Sequence, residues 1–275
     1  MHISKLAALG LAGAAALGLV AAGFAQQQPA QQQSSKPAVI GFFNLSGYLP
    51  RGAALNSLLL NPAPPAAGSA AEARDVAAAN AAVALQGTPR WTLATRDADF
   101  MSPAATSAFS CAAGFAIGPK TTPKLDMLMQ RTARDLAGAT GPTKAKYMRQ
   151  RPFMANGKPI CTPDFEAILR SDGSYPSGHS SLGYGWGLIL AEAIPGRAAE
   201  LVARGRAFGD SRRICNVHWL SDIEEGRIVA AAVVARLNAE PAFQADLAAA
   251  RAEAAAVTER DPGQDCAAEA ALLAL

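Results

Sequence analysis

Two residues in the last quarter of the chain have the types and spacing of a histidine nucleophile and its carboxylate partner. His218 precedes Asp222 by four residues, a spacing that places both side chains on one face of a helix. The carboxylate can then accept a proton from one imidazole nitrogen, which leaves the other nitrogen free as a base or nucleophile. Arg212, just upstream, offers a planar fork of donors to the oxygens of an anion. The stretch therefore indicates a nucleophile, an orienting group and an anion clamp.

A second stretch, from Gly173 to Ser180, is a turn-rich loop that runs into an apolar segment. Such a loop at a helix N-terminus presents backbone N–H groups and the positive end of the helix dipole to an anion. Ser177 and Gly178 are the natural donors. His179 stands at the edge of this cradle, where it could give a proton to a leaving oxygen, although a lone loop histidine is more often a surface residue.

A third stretch supplies two more cations. Lys144 and Arg151 are seven residues apart, so a helix of two turns would point both at one place, and Pro152 tends to end that helix. An exposed basic helix face would look the same. The argument gains weight because the chain has three histidines and the two beyond His2 both fall inside these stretches. That coincidence favours a single catalytic site.

The elements that must position these stretches are helices. Windows rich in Ala, Leu and Met contain few β-branched runs, and no window shows sustained strand alternation. Ser69 is a plausible N-cap for one Ala-rich helix, and Gly183 with Gly187 indicates a helix face that another helix can approach closely. The predicted helical segments are 77–85, 104–117, 125–136, 217–238, 241–257 and 265–273. The sequence therefore predicts an all-α fold in a single compact domain over residues 38–275.

The N-terminal 25 residues have the pattern of a secretory signal peptide. Lys5 gives a positive start, an Ala/Leu/Gly run follows to Phe24, and small residues surround a cleavage site. A retained anchor is the alternative, because the run is just long enough to span a bilayer. Residues 26–37 form a tract rich in Gln, Pro and Ser, which predicts a disordered linker. We therefore expect a periplasmic protein with no membrane attachment after signal removal.

The charge balance argues against macromolecular polyanions as partners. The chain has 25 Lys and Arg residues against 22 Asp and Glu residues, a formal net charge of +3. This is too balanced to predict binding to nucleic acid or to an anionic membrane surface. Any anion that the protein handles is therefore expected to be bound locally, by the three stretches above.

The four cysteines are expected to form disulfides. Their number is even, no C-x-x-C pair occurs, and export to an oxidising compartment favours disulfides over metal ligation. Of the three possible pairings we favour Cys161 with Cys215, because both flank the candidate site, which leaves Cys111 for Cys266. Four inert buried thiols are the alternative.

Taken together, the three stretches resemble the signature of the type 2 phosphatidic acid phosphatase and vanadium haloperoxidase superfamily. The matching patterns are K-x6-R-P from Lys144 to Pro152, P-S-G-H from Pro176 to His179, and S-R-x5-H-x3-D from Ser211 to Asp222. The fuller runs around the first two patterns are similar to those of bacterial class A non-specific acid phosphatases. Glu224 and Glu225 depart from that pattern by being acidic.

The resemblance implies a metal-independent acid phosphatase of this helical fold, without a cofactor, that acts on a broad range of small phosphomonoesters. His218, held by Asp222, would form a phosphohistidine, while His179 protonates the departing alcohol and then activates water. The phosphate oxygens would be held by Lys144, Arg151, Ser177, Gly178 and Arg212. Assembly into a homo-oligomer is left open.

Three other functions compete with this hypothesis. A vanadate-dependent haloperoxidase would use the same oxyanion cradle, but the short chain and close motif spacing argue against it. A lipid phosphate or diphosphate phosphatase is disfavoured because the mature chain lacks predicted membrane spans. A phosphate-binding module without turnover would have no use for the His218/Asp222 pair.

Overall fold

A computed structural model describes residues 46–50, 55–102 and 104–274 of the 275-residue chain. The predicted signal peptide, residues 1–25, and the predicted linker, residues 26–37, lie outside the described residues. Throughout the described ranges the regular structure is helical and no strand occurs, which confirms the all-α prediction. Within those same ranges, no helix combines the length and the apolar composition that a membrane crossing requires.

The helices follow one another with short connections. In chain order the α-helices are α1 (Ala70–Val83), α2 (Pro89–Asp97), α3 (Ser110–Ala113), α4 (Pro123–Gly138), α5 (Gly141–Tyr147), α6 (Pro152–Asn156), α7 (Glu166–Ser171), α8 (Gly178–Ala193), α9 (Ala198–Ile214), α10 (Leu220–Leu237), α11 (Pro241–Ala256) and α12 (Cys266–Leu273). Short 3-10 helices cover Ser57–Leu59, Ala105–Phe109, Pro163–Phe165 and Pro195–Arg197.

Local sequence signals explain several helix boundaries, but one predicted helix differs from the structure. Ser69 caps α1 as predicted, because its hydroxyl oxygen accepts a hydrogen bond from the Glu72 N–H at 3.1 Å. The helix predicted over 104–117 is wrong in extent: the segment forms a 3-10 helix followed by the single turn of α3. Gly114, with φ of 82°, ends that turn in the left-handed conformation.

The core is organised around α8, which packs against α9, α10 and α4. Its contact with α9 is made by backbone, as the glycine spacing predicted. A Cβ atom at Gly187 would lie 2.8 Å from the Leu201 carbonyl oxygen, and one at Gly205 would lie 2.5 Å from that of Gly183. This close approach brings the start of α8, which carries His179, beside the end of α9, which carries Arg212.

Both favoured disulfides are present. Cys161 pairs with Cys215 and Cys111 pairs with Cys266. The first bond lies in a small apolar cluster with Ile214 and Val217, in the turn that leads to His218. The second ties α12 to α3. The disulfide prediction is therefore confirmed, and one of the two bonds lies directly behind the candidate site.

Candidate active site

One cavity, of about 640 Å³, collects most of the residues that the sequence singled out. Those that line it are Lys144, Arg151, Gly178, His179, Arg212 and His218. The remaining two, Ser177 and Asp222, are fully buried and are not part of the cavity wall. The three sequence stretches thus meet at one place, with Ser177 and Asp222 behind the surface that a ligand would touch.

His218 lies in the turn before α10, which corrects the helical geometry that its spacing predicted. The helix begins at Leu220, and Asp222 in its first turn reaches back across the helix start. Asp222 Oδ2 accepts the backbone N–H of Trp219 at 2.8 Å and lies 3.2 Å from His218 Nδ1. The expected contact is therefore present, but it forms through capping of α10 and not through one face of a helix.

The neighbours of the His218 ring determine which nitrogen carries the hydrogen. Arg151 Nη1 lies 3.1 Å from His218 Nε2, and a guanidinium can only donate. Nε2 therefore presents its lone pair, and the hydrogen sits on Nδ1, facing the Asp222 carboxylate. This is the tautomer that a nucleophile at Nε2 requires.

The sequence left open whether cations or Asp222 would dominate the basicity of His218. Burial, followed by the charges of Arg151, Lys144 and Arg212, holds the pKa of His218 well below its ordinary value of 6.5. Desolvation and repulsion outweigh the opposing hydrogen bond with the Ser174 backbone. The lowered pKa favours the neutral form of His218.

Lys144 and Arg151 converge as predicted, although they do not share a helix. Helix α5 ends at Tyr147, and Met148, with φ of 40°, turns the chain before Arg151. Lys144 Nζ and Arg151 Nη2 both donate to Asp172 Oδ2, at 3.0 and 2.9 Å. Burial and the neighbouring Arg151 lower the pKa of Lys144 to about 8. The shared carboxylate, which the sequence argument passed over, fixes both cations at one point.

The start of α8 places Gly178 and Ser177 differently from one another. Gly178 is the first residue of the helix, where backbone N–H groups lack partners within the helix, and it lines the cavity. Ser177 is the N-cap: its hydroxyl oxygen accepts from the Ser180 N–H at 3.2 Å, and its own N–H donates to the Asp222 carbonyl oxygen at 2.8 Å. Its one remaining donor, the hydroxyl hydrogen, is buried behind the cavity wall, so the structure does not place Ser177 at the ligand surface as the sequence predicted.

His179 is held by the segment that follows α2. Its Nε2 lies 3.1 Å from the carbonyl oxygen of Ala98, and its ring meets that of Phe100 edge to face at 4.5 Å. Because a carbonyl only accepts, Nε2 carries a hydrogen, which leaves Nδ1 as the nitrogen available for proton exchange. Burial and the charge of Arg212 hold the pKa of His179 well below 6.5, against the opposing effect of the Ala98 carbonyl.

Arg212 is a buried cation with unused donors. It is 3% exposed, and its Nε and Nη1 atoms make no hydrogen bond with any residue that the structure describes. A buried charged donor without a partner costs far more than an ordinary unmade hydrogen bond. Because Arg212 lines the same cavity as both histidines, these donors indicate that the cavity is built to hold an anion.

Behind the site lies an ion-pair network that the sequence argument missed. Arg149 donates through Nη1 to Asp222 Oδ1 at 2.7 Å and through Nη2 to Asp75 Oδ2 at 2.8 Å. Ser221 donates to Asp75 through both its backbone N–H and its hydroxyl, at 2.8 and 2.6 Å. The network fixes the carboxylate that holds His218. The position of Arg149, two residues before Arg151, was a signal in the sequence that could have identified it. Asp75 lies in an Ala-rich helix, where the sequence contains no such signal.

The acidic residues after Asp222 do not reach the cavity. Glu224 pairs with Arg74, and Glu225 Oε2 accepts from Asn61 Nδ2 at 2.9 Å. Neither glutamate lines the cavity, so their departure from the family pattern brings no carboxylate to the ligand. Across the described ranges, no three His, Cys, Asp or Glu side chains are grouped so that they could hold a metal ion.

Comparison with known proteins gives matches over most of the chain. The PAP2 superfamily matches residues 133–240, which contain all three stretches. An acid phosphatase of Zymomonas mobilis is 36% identical over 236 residues, 86% of this chain and 86% of that protein. A non-specific acid phosphatase of Salmonella typhimurium is 42% identical over 200 residues, 72% of this chain and 80% of that protein. One of Providencia stuartii is 36% identical over 231 residues, covering 84% and 90%.

Proposed function

We propose that this chain, which belongs to the PAP2 superfamily and is related to non-specific acid phosphatases, hydrolyses phosphate monoesters through a phosphohistidine on His218. It is an acid phosphatase whose substrates are small phosphomonoesters. The relatives with this name match the chain over most of their own length. The three relatives compared above are all named acid phosphatases, which favours this function over the haloperoxidase, lipid phosphatase and binding-module alternatives.

The observation that carries the proposal is the buried guanidinium of Arg212, which has unpaired donors and belongs to a residue that lines the same cavity as His218 and His179. A phosphate dianion supplies several acceptors to such a fork. Lys144, Arg151 and the Gly178 N–H complete a set of donors on the same cavity. These groups would neutralise the charge that spreads over the equatorial oxygens during transfer.

The proposed reaction has two displacements. In the first, the lone pair of His218 Nε2 forms a bond to phosphorus while the bond from phosphorus to the ester oxygen breaks, and His179 gives that oxygen its proton. In the second, His179 takes a proton from water, whose oxygen attacks phosphorus and releases His218. Asp222 stabilises the positive charge on the ring while the phosphoryl group is attached.

The pKa directions suit catalysis in acid. His218 must be neutral to attack, and because its pKa is lowered it stays neutral as the solution becomes acidic. His179 must be protonated to act, and its lowered pKa means that the charged form is lost as pH rises. Burial is the main cause of that lowering, and a bound phosphate would act only against the smaller contributions of the Arg212 and Arg151 charges. Turnover is therefore expected to fall as pH rises, because the protonated form of His179 is lost.

The proposal predicts turnover without a metal ion. The purified mature protein is expected to hydrolyse p-nitrophenyl phosphate in mildly acidic buffer containing excess EDTA, with vanadate as an inhibitor, because the donors of the cavity replace a metal's charge. Release of p-nitrophenol is the measurement. Activity that EDTA abolishes and added divalent metal restores would sink the metal-free scheme.

The role of His179 predicts an effect that depends on the leaving group. In His179→Gln, kcat/KM for ethyl phosphate is expected to fall at least about tenfold further than kcat/KM for p-nitrophenyl phosphate, because p-nitrophenolate leaves without a proton. Steady-state kinetics on both esters gives the ratio within one protein, so folding losses cancel. Equal losses on the two esters would show that His179 does not protonate the leaving oxygen.

Export to the periplasm is also part of the proposal. Two disulfides fit an oxidising compartment, since such bonds are rare in the reducing cytosol. The N-terminal pattern of residues 1–25 is the predicted export signal. Residues 26–37 are proposed as a linker before the helical domain.

A further inference from the structure

The cavity is far larger than a phosphate group, and much of its wall beyond the donors is apolar. At about 640 Å³ it lies within the range of pockets that hold whole small molecules. Its apolar wall consists of Phe100, Met101, Phe165, Ile168, Leu169 and Leu182. A hydrolase that needed only the phosphate group would have no use for this space.

An ester in the cradle would have to put its organic group against this wall. The proposed role of His179 requires the leaving oxygen to lie beside its ring, and that ring contacts the ring of Phe100 at a centroid distance of 4.5 Å. On another side, Arg151 Nε donates at 2.9 Å to the carbonyl oxygen of Leu169, in the helix that carries Ile168. Two residues of the apolar wall, Phe100 and Leu169, therefore contact residues of the phosphate cradle directly.

The charges of the wall discriminate against anionic organic groups. Beyond the three cations of the cradle, no Lys or Arg among the described residues lines the cavity. The other charged residues in the wall are Asp99 and Asp172, both acidic. A second phosphate or a carboxylate on the substrate would meet repulsion there and no counterion.

Two apolar side chains at the mouth of the cavity are unusually open to water. Phe165 is 42% exposed and Ile168 is 60% exposed, and both line the cavity. Scattered exposed apolar residues need no explanation, but two on one cavity wall mark a surface that a ligand can cover. The occupant that fits both the cradle and this wall is a phosphomonoester with an apolar organic group.

We propose that this wall is a subsite for the organic group, so that the enzyme prefers phosphomonoesters of alkyl or aryl alcohols to those of sugars and other polar alcohols. The inference rests on the proposed phosphatase activity and adds its substrate class. Phe165 and Ile168 are the residues that determine specificity at the mouth of the cavity.

The test is kcat/KM for ethyl, butyl and hexyl phosphate, whose leaving groups have the same basicity and differ only in length. Wild-type kcat/KM is expected to rise with each methylene, by up to about fourfold if it is fully buried, and by at least about tenfold from ethyl to hexyl. The esters are used as monomers, below any micelle formation. A series that stays flat would overturn the subsite.

A substitution at the mouth of the cavity locates the effect. Ile168→Asn is expected to lower the hexyl-to-ethyl ratio of kcat/KM severalfold, because it puts an amide where the chain would lie. The matched control is Ile228→Asn, since Ile228 is 50% exposed in α10 and does not line the cavity, and its ratio should equal that of the wild type. An unchanged ratio in Ile168→Asn would overturn the assignment of the wall. If the wild type hydrolysed none of the three esters, the proposed function itself would fail.

Discussion

His218→Ala is expected to lower kcat about 10⁴-fold or more on any phosphomonoester, because the variant has no atom that can form the phosphoryl bond. The protein should remain folded. Asp222 keeps its ion pair with Arg149 at 2.7 Å and its bond from the Trp219 N–H at 2.8 Å, so the substitution leaves no buried carboxylate unpaired. Circular dichroism and thermal unfolding check the fold.

A covalent trap separates the nucleophile from other essential residues. A phosphoryl group on a histidine nitrogen survives alkali and is lost in acid. After reaction with labelled substrate and quenching in alkali, label is expected to remain on His179→Gln, because that variant is slow to activate the water of the second displacement. No label should remain on His218→Ala. Residual kcat within about tenfold of wild type in His218→Ala would show that another group attacks phosphorus.

The residue types of the site could be predicted from sequence because the three stretches keep their chemistry within short segments. His218 with Asp222, and Ser177 with Gly178, are local pairs whose spacing limits where the side chains can go. The geometry was less accessible. The sequence indicated one helix through Lys144 and Arg151, whereas a positive φ at Met148 ends it between them. Convergence on one carboxylate, and not helical periodicity, brings these cations together.

The parts that the sequence could not predict depend on contacts between distant segments. Asp75 meets Arg149 from a helix 74 residues earlier, and nothing in its Ala-rich surroundings distinguishes it from a solvated surface residue. The apolar wall likewise joins the segment after α2, which carries Phe100, to α7, which carries Ile168. Such surfaces arise only when the helices are packed, because no period in the sequence relates their members.

Arg212→Met is expected to lower kcat/KM about 10³-fold or more and at the same time to leave the free protein as stable as the wild type, or more so. The unpaired Nε and Nη1 donors of Arg212 are buried, so removing them removes an uncompensated desolvation cost. Replacing a buried ion pair by apolar side chains stabilises proteins by up to about 1–4 kcal/mol, and we take this as the upper limit of the gain in the free energy of unfolding for Arg212→Met. Urea denaturation without phosphate measures the free energy of unfolding.

The matched control lies on the same helix. Arg204 is also 3% exposed, but its guanidinium donates to Asp97 at 2.5 and 3.2 Å and to Glu269 at 3.2 Å. Arg204→Met would leave these carboxylates without their counterion, and we expect a loss of about 3–5 kcal/mol in the free energy of unfolding. Arg212 and Arg204 thus differ in what pairs with them, not in burial.

Thermal unfolding in the presence of inorganic phosphate tests anion binding by the same variants. Phosphate should raise the unfolding temperature of the wild type and of Arg204→Met, because a ligand that binds only the folded state stabilises it, and it should do so far less for Arg212→Met. If Arg212→Met were destabilised as much as Arg204→Met, or kept kcat/KM within about tenfold of wild type, Arg212 would be a structural cation. The opposite pattern would show that α9 carries one arginine for the fold and one for the anion.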